Sequence, residues 1–223
     1  MDLHVERETA SLRSQIERNI RKAILVGRFK PGDRLIEREL CELLGAGRAS
    51  IREALRQLEA EGIIVNQRYR GPFVAVITAD EARQLYEIRE FLERIAVRDF
   101  TRTASAALLE QLGRALVNLE RESEDGSVIE VVEAAGAFYA IIADNCGNNI
   151  VRQLLTQLYN RITILRATSM SSPDRPASSL GEIRDLYEKI RARDETAATE
   201  AAAVHVRNAG RIAIEVLSGR DAG

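Results

Sequence analysis

The chain has 223 residues, 45% of them hydrophobic and 30% charged, with a net charge of −2, the balance of a globular protein of about two domains. No apolar run approaches the roughly 20 residues a membrane helix needs, and residues 1–10 are polar rather than an apolar export signal, so a cytoplasmic protein without a membrane partner is expected. Cys41 and Cys146 stand far apart without CxxC spacing, which argues against a disulfide framework or a zinc knuckle.

Three helices are expected first. One runs from about Glu8 to Val26, with Leu12, Ile16, Ile20 and Ile24 at helical spacing. It stops near Gly27, before the Pro31-Gly32 turn. The second covers about Glu37–Leu44 and closes at Gly45; the third covers about Arg48–Glu61 and ends at Gly62. Strand-like sequence follows, Ile63–Val65 and Phe73–Val76, rich in β-branched and aromatic residues, with Asn66–Pro72 as the hairpin connection. The second half reads as helical: Thr78 is an N-cap candidate with Asp80 and Glu81 in the first turn. Helices are predicted near 79–101, 104–122, 127–144, 148–170, 180–192 and 194–218, with the clearest break at Ser171–Pro176. The expected fold is mainly α: a winged helix-turn-helix over 1–77 (three helices plus a β-hairpin), then an all-α antiparallel bundle over 78–223.

Charge divides along the same line. Residues 1–78 carry 14 Lys/Arg against 11 Asp/Glu, and residues 79–223 carry 18 against 23. Phosphate attraction needs a local basic face rather than a basic whole. On the third predicted helix, Ile51, Ala54, Leu55 and Leu58 fall on one side, while Ala49, Arg52, Glu53 and Arg56 fall opposite, with Arg48 at the start. A DNA-reading helix needs this division: an apolar back, small residues for close approach, and arginines that can bond guanine edges or phosphate. On a plain surface helix, Arg52 and Arg56 would instead pair with Glu59 or Glu53.

The stretches Gly27–Leu35, Glu37–Leu40, Gly45–Leu55 and Leu58–Ile64 resemble the winged helix of the GntR family of transcriptional regulators, in its order and spacing over residues 10–76. The resemblance implies DNA contacts from Arg38, Arg48, Ala49, Ser50, Arg52 and the wing glycine Gly71, with Arg68 and Arg70 as wing contacts. Gly47 and Ala49 stand where the family often has hydroxyl residues, which puts its usual operator preference in doubt.

The helical half resembles the FadR branch with its FCD domain, on Leu85–Arg94, Phe138, Gly147–Ile150, Glu182 with Arg184, Arg191–Asp194 and His205. Many members hold a divalent metal through one Asp and three His. Those positions fall here on Ala135, Tyr139, Ile183 and His205, so three of four ligands are missing, no metal is expected and no other cofactor is implied. An anionic effector would then need another positive anchor, for which Arg89 is the candidate. Tyr139, Arg161, His205 and Asn208 are further effector candidates; Asn208 follows His205 by one turn, on the same face. The alternatives are an exposed Arg89–Glu93 ion pair and a His205 that is simply a hydrogen-bonded core imidazole.

The resemblance implies a homodimeric regulator, in the first instance a repressor, that reads palindromic half-sites on double-stranded DNA and answers to a small-molecule, organic-acid effector. The alternative is a DNA-binding regulator whose helical half only dimerises. An enzyme lacks support: there is no Ser-His-Asp order, phosphate loop, dinucleotide turn or metal set.

Overall fold

The computed structural model describes residues 7–170 and 175–221. The chain divides into two compact units, Met1–Ile77 and Thr78–Gly223.

The first unit contains α1 (Arg7–Leu25), α2 (Glu37–Leu44), α3 (Arg48–Ala60), β1 (Ile64–Gln67) and β2 (Gly71–Val74). Ile16, Ile20 and Ile24 of α1 are buried, as are Leu35, Leu40, Ile51, Leu55 and Leu58, with α1 and α2 both packed on α3. Leu12, expected on the apolar face, is instead 41% exposed, because the core ends one turn further along. Gly45 turns α2 toward α3 with φ 60°, and its N–H bonds the Cys41 carbonyl. That left-handed angle is cheap only for glycine.

The hairpin differs from the predicted one. β1 starts at Ile64 and runs to Gln67, β2 starts at Gly71, and only Arg68, Tyr69 and Arg70 form the connection. Ile63 is not strand: its N–H closes the turn onto the Leu58 carbonyl, and its side chain is buried in the core. Asn66 and Gln67 are strand despite their polarity, since the ribbon there projects into solvent on both faces. Leu35 N–H bonds the Pro72 carbonyl at 2.9 Å, and Arg34 bridges Phe73, tying the base of the ribbon to the α1–α2 connection.

The second unit contains α4 (Ala79–Thr103), α5 (Ala106–Asp125), α6 (Val128–Asp144), α7 (Asn149–Met170), α8 (Arg175–Arg191) and α9 (Glu195–Asp221). The starts of α4, α5 and α6 are written in the sequence. Thr78 accepts from the Glu81 N–H, Ser105 from Leu108, and Ser127 with Glu130 makes a capping box. The break expected over Ser171–Pro176 lies on residues 171–174, outside the described residues, and partly on Arg175 and Pro176. Those two already belong to α8, which begins five residues before the predicted start at 180. Pro176 fits there because the N–H groups of a helix's first turn have no intrahelical acceptor, so none of its hydrogen bonds is lost.

The bundle core joins Phe100, Leu112, Phe138, Leu155 and Leu186, all essentially unexposed. Truncating a phenylalanine so placed costs about 3–5 kcal/mol. α9 lies along α4 through small residues, Ala202, Ala209, Gly210 and Ala213 among them. A Cβ on Gly210 would sit 2.9 Å from the Tyr86 ring, so this crossing requires glycine. No helix among the described residues is long and apolar enough to cross a membrane.

Candidate DNA-reading face and buried guanidinium cluster

In the first unit, α3 buries Ile51, Ala54, Leu55 and Leu58 and leaves Arg48, Ala49, Arg52 and Arg56 exposed. Arg38 is exposed on α2. Arg52 does not pair with Glu59 or Glu53; its Nε bonds Glu37 Oε2 at 3.2 Å, reaching back to the start of α2. The pair is open to solvent, and such pairs are worth at most about 1 kcal/mol. Exchanging Glu37 for a phosphate or a guanine edge therefore costs little.

Gly47 N-caps α3 with no side-chain hydrogen bond, and no acidic residue follows in the first turn. The first turn of α3, with Arg48, Ala49 and half-buried Ser50, thus brings no carboxylate of its own to the helix's first N–H groups, which suits an approaching phosphate. On the wing, Arg68, Tyr69 and Arg70 are exposed, and Gly71 holds φ 87°. Arg34 was missed from sequence: its Nη2 lies 3.9 Å from where a Gly71 Cβ would be. Nothing in its own pattern marks it, because the bridge to Phe73 that places it is long-range.

The second unit gathers an unusual set of charges in its interior. Arg89 of α4 is fully buried, and its Nε donates to Glu93 Oε1 at 2.7 Å. The expected Arg89–Glu93 pair is therefore present but not exposed. Tyr159 of α7 donates to the same oxygen at 3.1 Å. The Arg89 guanidinium lies 5.6 Å from the ring centres of Tyr86 and Tyr139. Arg166 of α7 lies 5.2 Å from Tyr139 and 5.1 Å from Tyr159.

Beside them Glu182 of α8 forms a hub. Arg175 donates to both its oxygens, at 2.9 and 2.8 Å, Asn208 Nδ2 donates at 2.7 Å, and His205 Nδ1 lies at 2.8 Å. His205 stacks on Tyr139, with ring centres 5.5 Å apart. Burial pushes the His205 imidazole down to about 4, although its bond to Glu182 opposes this. At neutral pH the ring is thus uncharged, with Nδ1–H donating to Glu182. Burial also opposes ionisation of Glu182, but the bonds from His205, Arg175 and Asn208 prevail and hold it down to about 2. Burial lowers Arg166, and the neighbouring Arg89 charge adds to this. Burial raises the Tyr139 phenol, so it remains a donor.

Three guanidiniums, Arg89, Arg166 and Arg175, thus share an interior with two carboxylates, Glu93 and Glu182. Several buried atoms have no hydrogen-bond partner among the described residues: Arg89 Nη1 and Nη2, Arg175 Nε, the Tyr86 and Tyr139 hydroxyls, and Glu93 Oε2. A buried donor without a partner costs about 1–3 kcal/mol, more if charged. Two members of the cluster also line open grooves. Glu182 borders a groove of about 550 Å³ between α8 and α9. Tyr86 borders one of about 300 Å³ between α4 and α9.

Of the effector candidates, the structure brings Arg89, Tyr139, His205 and Asn208 together. Arg161 takes a different place, with its guanidinium hydrogen-bonded to Glu81 in the first turn of α4. Arg175, Glu182 and Arg166 were not among the candidates. The residues do not fit the metal that the resemblance suggests. Ala135 and Ile183 offer no donor atoms, Tyr139 lies flat against His205, and the imidazole is committed to Glu182. Among the described residues no group of three or more His, Cys, Asp or Glu is placed to hold a metal ion.

Comparison with known proteins agrees with both halves. Residues 12–74 match the bacterial regulatory proteins of the gntR family, and residues 84–208 match the FCD domain. The chain is 28% identical over 192 residues to the uncharacterized HTH-type transcriptional regulator YdhC of Bacillus subtilis (strain 168), covering 86% of each protein. It is 27% identical over 211 residues to the galactonate operon transcriptional repressor of Escherichia coli (strain K12), covering 85% of this chain and 91% of that one. The fold matches E. coli McbR/YncC with a TM-score of 0.80 at 22% identity, over 92% of this chain and 97% of that one. With an FCD domain over more than half its length and a GntR winged helix before it, the chain belongs to the GntR-family transcriptional regulators and is a DNA-binding regulator rather than an enzyme.

Proposed function

We propose that this regulator is a homodimeric repressor that responds to a small organic anion, and that Arg89 and Arg175 bind the anion without a metal ion. The observation that carries this is Arg89. Both terminal nitrogens of its guanidinium are buried and have no partner among the described residues, although Glu93 takes its Nε. A planar guanidinium with two open N–H-bearing corners is the shape that receives a carboxylate. The cluster's excess of cations over carboxylates favours the same class of ligand, and the Tyr139 hydroxyl offers a further donor. A helical domain that only dimerises has no use for such orphaned donors. The kinship with a galactonate operon repressor makes sugar acids a natural first group to test.

Two winged helices related by a two-fold axis would place two copies of α3 on successive half-sites. Relief of repression then needs only an anion that binds the DNA-free form more tightly than the DNA-bound form.

The test is a thermal-shift panel of sugar acids, hydroxy acids and dicarboxylates on the purified protein in EDTA. Binding to the folded state raises Tm by mass action, equivalent to about 2.7 kcal/mol at 100-fold Kd. At least one carboxylate is expected to raise Tm in the wild type and not in the Arg89→Gln/Glu93→Gln double variant. The double change removes both charges together, so neither is left buried alone. Stabilisation only on adding zinc or nickel contradicts the proposal, as does silence across the panel.

A further inference from the structure

The buried atoms of the cluster that lack a partner among the described residues are not all of one kind. Arg89 Nη1 and Nη2, Arg175 Nε, and the Tyr86 and Tyr139 hydroxyls can each donate a hydrogen bond. Glu93 Oε2 is different, because a carboxylate oxygen only accepts.

The other oxygen of that carboxylate is fully engaged. Glu93 Oε1 takes Arg89 Nε at 2.7 Å and the Tyr159 hydroxyl at 3.1 Å. Two donors from two helices thus hold the carboxylate, and Oε2 is left over. Glu93 is only 1% exposed, so bulk water does not supply the missing donor. An acceptor stranded in this way is costly until something donates to it.

A plain carboxylic acid would satisfy the open corners of Arg89 and answer nothing at Glu93. A second carboxylate brought to Oε2 would be repelled by it. An alcohol fits both needs: its O–H donates to Oε2, and its lone pairs can accept from a tyrosine hydroxyl. A ketone oxygen has no hydrogen to give and would face Oε2 acceptor to acceptor.

We infer that Glu93 sets the specificity of the Arg89 site: its Oε2 receives a hydroxyl of the ligand, so the effector is a hydroxy acid and not the oxo or deoxy acid of the same skeleton. This rests on Arg89 binding an anion as proposed above. Because Glu93 is bonded to the same guanidinium that receives the ligand's carboxylate, the hydroxyl belongs on the carbon beside that carboxylate or on the next one.

The experiment is calorimetric titration of the full-length protein in EDTA with matched acids that differ at that carbon. Lactate is set beside pyruvate and propionate, malate beside oxaloacetate and succinate, and gluconate beside its oxo and deoxy counterparts. In the wild type at least one hydroxy acid is expected to bind, and its oxo and deoxy partners at least about 10-fold more weakly, since a site built to bond a hydroxyl rejects the analogue without one. In Glu93→Gln an amide can keep its oxygen toward Arg89 and present N–H where Oε2 stood, turning an acceptor into a donor. The hydroxy acid should then lose its advantage over the oxo acid. The wild-type ratios decide the matter by themselves if Glu93→Gln does not fold. A smaller wild-type ratio, or a folded Glu93→Gln that keeps the wild-type ratio, overturns the role of Glu93 while the anion site stands. Silence toward every acid overturns the anion site itself.

Discussion

His205 lies between the Tyr139 ring and the Glu182 carboxylate, and its protonation is coupled to the stability of the fold. Its pKa falls from 6.5 to about 4 on burial, so the folded protein keeps it neutral where the unfolded chain takes up a proton. Stability that is complete above pH 6.5 is therefore lost progressively as pH falls toward 4. A shift of this size corresponds to about 3 kcal/mol. Glu182, held at about 2 against 4.5, extends the loss between those values. Urea midpoints should hold level from pH 8 to 7 and decline below 6.5, and in His205→Asn the decline between 6.5 and 4.5 should largely vanish. A wild-type midpoint that does not change from pH 7 to 5 would show that the imidazole is not neutral and buried. The same neighbourhood shows how much of the site the residues revealed. Arg89, Tyr139, His205 and Asn208 lie on helices whose period was clear. Arg175 was hidden because the Ser171–Pro176 stretch reads as a break, yet it stands seven residues before Glu182, two turns along one face. Tyr159 and Arg166 share that spacing on α7. Arg161, a candidate on the same helix, bonds Glu81 instead, a partner 80 residues away that no local pattern marks.

At the scale of the element, the crossing of α4 and α9 depends on Gly210. Replacing it with alanine puts a Cβ 2.9 Å from Tyr86 Cγ, an aromatic ring that cannot yield by rotating its tip. Overpacking of this kind costs about 1–3 kcal/mol, and Tyr86 would be displaced from its place over Arg89. Gly181 of α8 has open space at the same distance, so Gly181→Ala should gain up to about 1 kcal/mol of helix propensity. Thermal unfolding of the two variants should thus move in opposite directions, and two equal shifts would refute the tight crossing. Helix positions were legible because caps and period agree, as at Thr78, Ser105 and Ser127. Strand ends were not. Ile63 has the composition of a strand but serves the core, and Asn66 and Gln67 have none of that composition but carry the ribbon. In a two-stranded wing, pairing rather than burial decides where strand begins.

For the whole molecule, the match to the gntR family lies within the compact unit Met1–Ile77 and the charged interior within Thr78–Gly223. Ile88 and Phe91, one turn apart on α4, are 54% and 62% exposed, an apolar surface that the proposed second copy would cover. Light scattering should therefore give about twice the 24.8 kDa chain mass, and Phe91→Glu should shift the protein toward monomer with its helical content kept. A monomeric wild type at micromolar concentration would contradict the homodimer. Such a loss of dimer should also weaken operator binding far more than half-site binding, since two linked sites bind with raised effective concentration.

Control of DNA binding by an anion on Arg89 requires that the two binding events be coupled. Titrating the wild type and the Arg89→Gln/Glu93→Gln variant onto an operator duplex selected from a random pool, in EDTA and with or without the carboxylate that raises Tm, measures that coupling. A coupling of about 1–3 kcal/mol is usual between two sites in one protein, equivalent to about 5- to 150-fold in affinity. Expected are a wild-type operator Kd at least about 10-fold weaker with the carboxylate, and a variant Kd that the carboxylate does not change. Equal wild-type affinities with and without the carboxylate would show that the buried guanidinium cluster binds without regulating.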